Sequence, residues 1–121
     1  MRPTGWRLYN ETSGIVLAER VFAADNFFSR LRGLIGYPPL EAGSALWIEP
    51  CQQVHTHFMR WPLQVVFLDR DLHVVRVIRE LRPWRVSPWV RSARSAVELA
   101  ADRAPQVADG NRLRIGPSPS D

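Results

Sequence analysis

The apolar segment from Cys51 to Asp69 constrains the fold of this chain more than any other stretch. Arg60 and Pro62 interrupt its long apolar run. Because proline has no backbone N–H to donate to a β-ladder, we expect Pro62 to divide the stretch into two elements at a bend or a sheet edge. The uninterrupted run from Val65 to Leu68 is typical of a strand that is buried on both faces.

The segments on either side predict further strands joined by turns. Trp6–Tyr9 and Ile15–Phe22 are apolar runs separated by turn-forming residues, which indicates an opening hairpin. Asp69–Asp71 supplies turn chemistry before the alternating run His73–Leu81, so a second hairpin is predicted there. Further short strands are predicted at Ala45–Ile48, Ala96–Leu99 and Arg112–Ile115.

One short helix is predicted near residues 25–35. Asp25 can cap its free N–H groups, and the glycines and prolines between residues 33 and 39 end it. Many short strands with a single helix favour a mainly β fold, either a small β-sandwich or a partly closed barrel. The apolar stripe of the helix follows a spacing of three and four residues and consists of Phe27, Phe28, Leu31, Leu34 and Ile35.

The length of 121 residues suits one domain, which we expect to span residues 1–116 and to be followed by a flexible tail at residues 117–121. No apolar run approaches the roughly 20 residues that a transmembrane helix needs, so a soluble protein is expected. Met1–Asn10 lacks the pattern of a secretory signal. The expected location is therefore cytoplasmic, with an exported form as the alternative if a leader was removed.

The basic residues raise the question of nucleic-acid binding. All 16 are arginine, and the formal net charge is +4. Arginine alternates with tryptophan between residues 82 and 94, a composition that can grip phosphates while bases stack on indoles. The competing interpretation places the tryptophans against the core and the arginines in solvent. We favour it and do not expect a nucleic-acid partner; the residues concerned are Arg82, Trp84, Arg85, Trp89, Arg91 and Arg94.

Cys51, His55 and His57 are the candidate metal ligands. On an extended strand, residues two and four apart point the same way, so the three side chains could converge on a soft divalent ion. The spacing of about 6–7 Å between such neighbours suits the two histidines but is long for Cys51 without a bend. A Cys51 nucleophile activated by His55 is another possibility. The competing interpretation, which we favour, is a buried cysteine and a hydrogen-bonded core histidine with no cofactor.

An aromatic cluster in the same region offers a ligand pocket, because β-sandwiches can leave a cleft at one end. The alternative is that this cluster is ordinary core. Its members are Trp47, Phe58, Met59 and Trp61.

The leading functional expectation is a noncatalytic binding or interaction module. It would hold a small ligand or a protein partner at His55, Thr56, Met59 and Arg85. The alternative is an enzyme or metal-binding protein that uses Cys51 and His55. The sequence predicts neither the identity of the partner nor the oligomeric state.

Several motifs resemble those of one family. The segment CQQVHTHFMRWPLQVVFLD, which is Cys51–Asp69, resembles the bacterial and archaeal domain-of-unknown-function family 192. The same order of motifs continues with FSRLRGLIG at Phe28–Gly36, LRPWR at Leu81–Arg85 and VELA at Val97–Ala100. The resemblance covers roughly Val21–Ile115.

This resemblance implies a compact β-sandwich similar to a jelly roll, and it carries no established activity. Two positions depart from the family pattern. Similar proteins usually carry an acidic residue where this chain has Gln64, and an aromatic or other apolar residue where it has His57. A metal site that includes His57 would therefore be peculiar to this chain.

Overall fold

The computed structural model describes residues 1–25, 40–57, 59–101 and 107–117. These ranges contain strands but no helix, and thus no helix that is long and apolar enough to cross a lipid bilayer. Apart from Asp25, the short helix predicted near residues 25–35 lies outside the described residues, and the structure does not bear it out. The strands are β1 (Arg2–Pro3), β2 (Arg7–Asn10), β3 (Ile15–Ala18), β4 (Arg20–Ala24), β5 (Ser44–Ile48), β6 (Leu63–Leu68), β7 (Val74–Leu81), β8 (Ser95–Ala100) and β9 (Leu113–Gly116).

The described strands form two sheets rather than a closed barrel. The larger sheet has the order β1-β4-β5-β8-β6-β7, and the smaller has the order β3-β2-β9. Every pairing is antiparallel except that of β4 with β5, which is parallel. The mainly β prediction is confirmed, and the parallel pair is a departure from the antiparallel pairing of a jelly roll.

The two sheets share one apolar core, as the sheets of a sandwich do. Leu8 of β2 and Leu113 of β9 belong to the same buried cluster as Val66 of β6 and Val97 of β8. All four side chains are at most 2% exposed. The smaller sheet therefore covers one face of the larger sheet.

The opposite face of the larger sheet is covered by irregular chain. Val65 and Phe67 of β6 pack in a second cluster together with Cys51, Val54 and Val90. These last three come from residues 51–57 and 82–94, which we call the cover segments. All six residues of β6 are buried, so the prediction that this strand is covered on both faces is confirmed.

The two predicted hairpins are present. β2 pairs with β3, and β6 pairs with β7 across the turn at Asp69–Asp71. The predicted run Ile15–Phe22 is divided at Glu19, however, and its halves belong to different sheets. The carbonyl oxygen of Gly43 accepts the N–H groups of both Glu19 and Arg20, which holds the chain where it crosses between the sheets.

Pro62 marks the division that the sequence predicted, because β6 begins at the next residue. The half of the segment before Pro62 is irregular rather than a strand. Among its described residues, the one ladder contact is an isolated antiparallel bridge between His55 and Val86.

Candidate functional site

The two cover segments are hydrogen-bonded to each other along their length. The Ser87 N–H donates to the Val54 carbonyl (2.9 Å), and the Val54 N–H donates to the Ser87 hydroxyl (3.0 Å). The Val90 N–H donates to the Gln52 carbonyl (2.8 Å), and the Gln52 side-chain amide donates to the Arg91 carbonyl (2.8 Å). Since neither segment belongs to a sheet, these bonds satisfy backbone groups that would otherwise be buried without partners.

Thr56 anchors the beginning of the second cover segment. Its hydroxyl donates to the Arg82 carbonyl (2.5 Å) and accepts the Arg85 N–H (3.0 Å). Its carbonyl oxygen accepts the Trp84 N–H (2.9 Å). The side chain is 0% exposed, so the structure assigns Thr56 to holding the segments together and not to the cleft between them.

A cleft of about 460 Å³ lies between the cover segments. Residues 50–55 and 57 line one side, and residues 86, 89, 93 and 94 line the other. Trp89 is 63% exposed and Val86 is 51% exposed, so they give the cleft an apolar wall that solvent can reach. The polar residues of the described lining are Gln52, Gln53, His55, His57 and Arg94.

His55 and His57 lie side by side in this lining. Their Nδ1 atoms are 3.3 Å apart, and their ring centroids are 5.1 Å apart with the planes inclined at 40°. The backbone N–H of His57 also lies 3.3 Å from the Nδ1 atom of His55. The ring of His57 meets the indole of Trp84 edge-on at 5.9 Å.

Cys51 borders the cleft but points into the core. It is 2% exposed and belongs to the second apolar cluster. Its thiol donates to the Gln53 carbonyl at 3.4 Å, and its N–H donates to the Arg94 carbonyl at 3.0 Å. The three predicted metal ligands thus line one cleft, yet the ligand atoms of Cys51, His55 and His57 do not all lie within 4.8 Å of one another.

A different group meets that distance among the described residues. Ligand atoms of Asp69, Asp71 and His73 all lie within 4.8 Å of one another at the turn between β6 and β7. One oxygen of Asp69 accepts the N–H groups of both Asp71 and His73 at 2.9 Å. These bonds form the turn itself, which accounts for the position of the Asp69 carboxylate.

Arg94, which lines the cleft, forms an exposed ion pair with Glu49. Its Nε atom lies 3.6 Å from a carboxylate oxygen of Glu49, and its side chain is 58% exposed. An ion pair this exposed contributes little to stability, so the guanidinium can exchange one carboxylate for another.

The other predicted ligand-binding residues lie outside the cleft. Met59 packs against the second apolar cluster, and Arg85 is exposed, with its guanidinium donating to the Trp84 carbonyl. Trp47 packs against the first cluster, whereas Trp61 is 44% exposed. The remaining member of the predicted aromatic pocket, Phe58, lies outside the described residues.

Sequence reasoning missed a buried carboxylate and most of one cleft wall. Glu98 in the centre of β8 is 0% exposed, and its place between the core residues Val97 and Leu99 directs it toward the opposite face of the sheet. The available signal was an acidic residue inside an apolar strand. Trp89 and Arg94 belong to the arginine- and tryptophan-rich stretch, but no pattern within that stretch predicts that they line a cleft.

Comparisons with known proteins find the same family that the sequence motifs resemble. A model of the family DUF192, described as uncharacterized ACR, matches residues 9–115. A UPF0127 protein of Thermococcus sibiricus is 37% identical over 83 residues, which are 64% of this chain and 53% of that protein. A UPF0127 protein of Pyrococcus abyssi is 31% identical over 96 residues, which are 75% of this chain and 80% of that protein. The match thus spans about half the length of the Thermococcus relative.

Two solved structures share the fold. One, from Sinorhizobium meliloti 1021, is of a protein provisionally assigned as a transcription regulator; it has a TM-score of 0.72 and 19% identity and covers 91% of each chain. The other, a protein of unknown function from Novosphingobium aromaticivorans, has a TM-score of 0.70 and 18% identity and covers 93% of this chain and 83% of that one. At these identities the likeness shows the fold alone.

Proposed function

The chain belongs to the DUF192 family, and from the geometry of its cleft we propose that it is a noncatalytic binding module that holds a small ligand between the cover segments. One observation carries the proposal. An exposed apolar wall, formed by Trp89 and Val86, borders the same opening as two imidazoles and a guanidinium. Ligand sites typically combine an apolar surface with a few polar groups that orient the ligand.

The apolar wall favours a flat, apolar part in the ligand. Three large apolar side chains in the short stretch 84–89 are at least half exposed, namely Trp84, Val86 and Trp89. Single exposed apolar residues are ordinary, whereas a group of them around a concave opening marks an interaction site. The cleft volume of about 460 Å³ lies within the usual range for small-molecule sites.

The polar lining favours an anionic group on the ligand. Among the described residues, those that line the cleft include Arg94 but none with a carboxylate side chain. A guanidinium presents paired donors that match a carboxylate, and imidazoles can add further hydrogen bonds. The ligand class that fits is therefore a small aromatic carboxylate, its ring on Trp89 and its carboxylate toward Arg94.

The alternative of a Cys51–His55 enzyme has weaker support. A nucleophilic thiolate must reach substrate, and reactive cysteines are partly exposed in electropositive surroundings. Cys51 is 2% exposed and packs among apolar side chains. This burial favours a structural role for the cysteine.

The proposal can be tested by NMR titration of the labelled chain with benzoate and with indole-3-acetate. Binding should shift the Trp89 indole signal and the amide signals of residues 52–57 and 86–94. Trp89→Ala should weaken binding about tenfold, the size of one lost aromatic contact. Trp6→Ala is the matched control, because Trp6 is 40% exposed and does not line the cleft.

Two results would count against a ligand site in this cleft. The first is equal weakening in Trp89→Ala and Trp6→Ala, and the second is a set of shifted signals outside the cover segments. Benzamide, which keeps the ring but lacks the charge, should bind more weakly than benzoate if Arg94 recognises a carboxylate. Equal binding of the two probes would remove the anionic class.

A further inference from the structure

The paired imidazoles of the cleft have the geometry of a metal chelate. We propose that His55 and His57 together bind a tetrahedral divalent metal ion, with zinc as the ion that fits. Their Nδ1 atoms are 3.3 Å apart. Two ligand nitrogens at about 2.0–2.1 Å from a tetrahedral zinc ion are separated by about 3.3–3.4 Å. The two nitrogens therefore already have the separation of one edge of the coordination tetrahedron.

The close approach of the two nitrogens itself requires an explanation. Two lone pairs directed at each other repel, so a proton or a cation must lie between nitrogens this close. The backbone N–H of His57 also approaches the Nδ1 atom of His55 at 3.3 Å, which is long for a hydrogen bond of this kind. An Nδ1 atom that accepts this N–H is unprotonated, and a metal ion would take the place of this long contact on its single lone pair.

The fold holds the two rings in place before any ion arrives. Thr56, which separates them in the chain, is fully buried and hydrogen-bonded to the second cover segment. His55 forms a bridge with Val86, and the ring of His57 makes a T-shaped contact with the indole of Trp84. Ligands fixed in this way lose less conformational entropy on binding.

Cys51 is not needed for the proposed site. The ligand atoms of Cys51 and the two histidines do not all lie within 4.8 Å of one another, and the thiol is engaged with the Gln53 carbonyl. Both histidines line the cleft, which gives water or an anion access to the remaining coordination positions. The inference does not rest on the proposed function, because the pair can bind zinc whether or not the cleft binds a carboxylate.

The experiment is a calorimetric titration of the metal-free full chain with zinc chloride, followed by NMR of the imidazole nitrogens. We expect one zinc ion per chain and shifts of the ring nitrogens of His55 and His57. His57→Phe keeps a ring against Trp84 but removes the ligand atoms. It should lower zinc affinity by at least about tenfold, since even the loss of a partner outside the coordination shell costs 10–100-fold.

The matched control is His73→Phe, which removes the third histidine of the chain. His73 lies beside Asp69 and Asp71, so it tests the competing site at the turn between β6 and β7. Zinc affinity should be unchanged in His73→Phe and in Cys51→Ser. Circular dichroism checks that each variant folds, and His57→Gln replaces His57→Phe if the latter does not.

Three results would overturn the proposal. Absence of zinc binding by the wild-type chain would mean that the two nitrogens share only a proton. Loss of binding in His73→Phe would place the ion at the turn. Loss in Cys51→Ser equal to that in His57→Phe would show that the thiolate is an essential ligand. The nitrogen shifts of the wild-type chain distinguish the sites even if every histidine variant fails to fold.

Discussion

Thr56 shows how a single buried hydroxyl can hold irregular chain in place. Its O–H donates to the Arg82 carbonyl and its oxygen accepts the Arg85 N–H, so the hydroxyl acts both as donor and as acceptor. No strand or helix supplies partners for these backbone groups, which lie in a segment without regular structure. One side chain of the first cover segment therefore helps to hold the beginning of the second.

Thr56→Val keeps the shape of this side chain but removes the hydroxyl. We expect it to lower the free energy of unfolding by about 1–3 kcal/mol, because it leaves the N–H of Arg85 and the carbonyl of Arg82 without this partner. Urea denaturation measures the change. Thr12→Val is the control, since Thr12 is exposed and its hydroxyl accepts only the Arg112 N–H among the bonds described. Equal losses in the two variants would contradict the anchoring role.

The candidate site could be predicted from the sequence only in part. The two-residue period of extended chain places His55 and His57 on the same side, and the structure shows their nitrogens together. The same period failed for Cys51, because the chain bends it into the core. No pattern within a single segment predicts where Trp89 lies. It lines the same cleft as the histidines because two segments about 30 residues apart in the chain are hydrogen-bonded to each other.

At the level of elements, β6 is the strand on which both cores depend. Val65 and Phe67 face the cover segments, whereas Val66 and Leu68 face the smaller sheet. The sequence revealed this double burial because apolar residues occupy successive positions without alternation. The strand thus joins the two halves of the molecule through its side chains.

Leu68→Ala should destabilise the chain by about 2–5 kcal/mol, the usual cost of a large-to-small change in a core that cannot collapse around the cavity. Leu68 is 0% exposed and lies in the first apolar cluster. Ile15→Ala is the control on an edge strand, where the side chain is 47% exposed, and it should change stability by less than about 0.5 kcal/mol. Chemical denaturation compares them. A Leu68→Ala cost as small as that of the control would mean that β6 is not central to the core.

Hairpins were predictable from the sequence, whereas the neighbours of strands were not. The strands of the pairs β2–β3 and β6–β7 follow each other in the chain, and the turn residues between them predict the pairing. The insertion of β8 between β5 and β6, and the parallel alignment of β4 with β5, join strands from distant parts of the chain. Such contacts depend on which apolar faces fit together, and a period within one segment does not carry that information.

At the level of the whole molecule, the larger sheet is covered by two different kinds of layer. A second sheet covers one face, and the cover segments cover the other. The cover segments carry the cleft, so the candidate site lies on the less regular layer and is supported by the regular one. This arrangement agrees with the common placement of binding residues on loops that a rigid scaffold positions.

This arrangement predicts that the cover segments open together, before the larger sheet unfolds. Among the described residues, their hydrogen bonds join them mainly to each other. A backbone hydrogen bond from the Arg94 N–H to the Leu68 carbonyl (2.7 Å) ties them to β6. Hydrogen exchange at low urea should therefore give the amides of Val54, Ser87 and Val90 one shared opening free energy, lower than that of Val66 in β6.

Different opening free energies for these three amides would instead indicate separate local fraying. Values equal to that of Val66 would show that the cover layer unfolds only with the sheet. In the expected case the two segments open as one unit, so anything that binds only the closed layer must raise the protection of both. Exchange in the presence and absence of zinc or benzoate then shows which probe holds the layer closed.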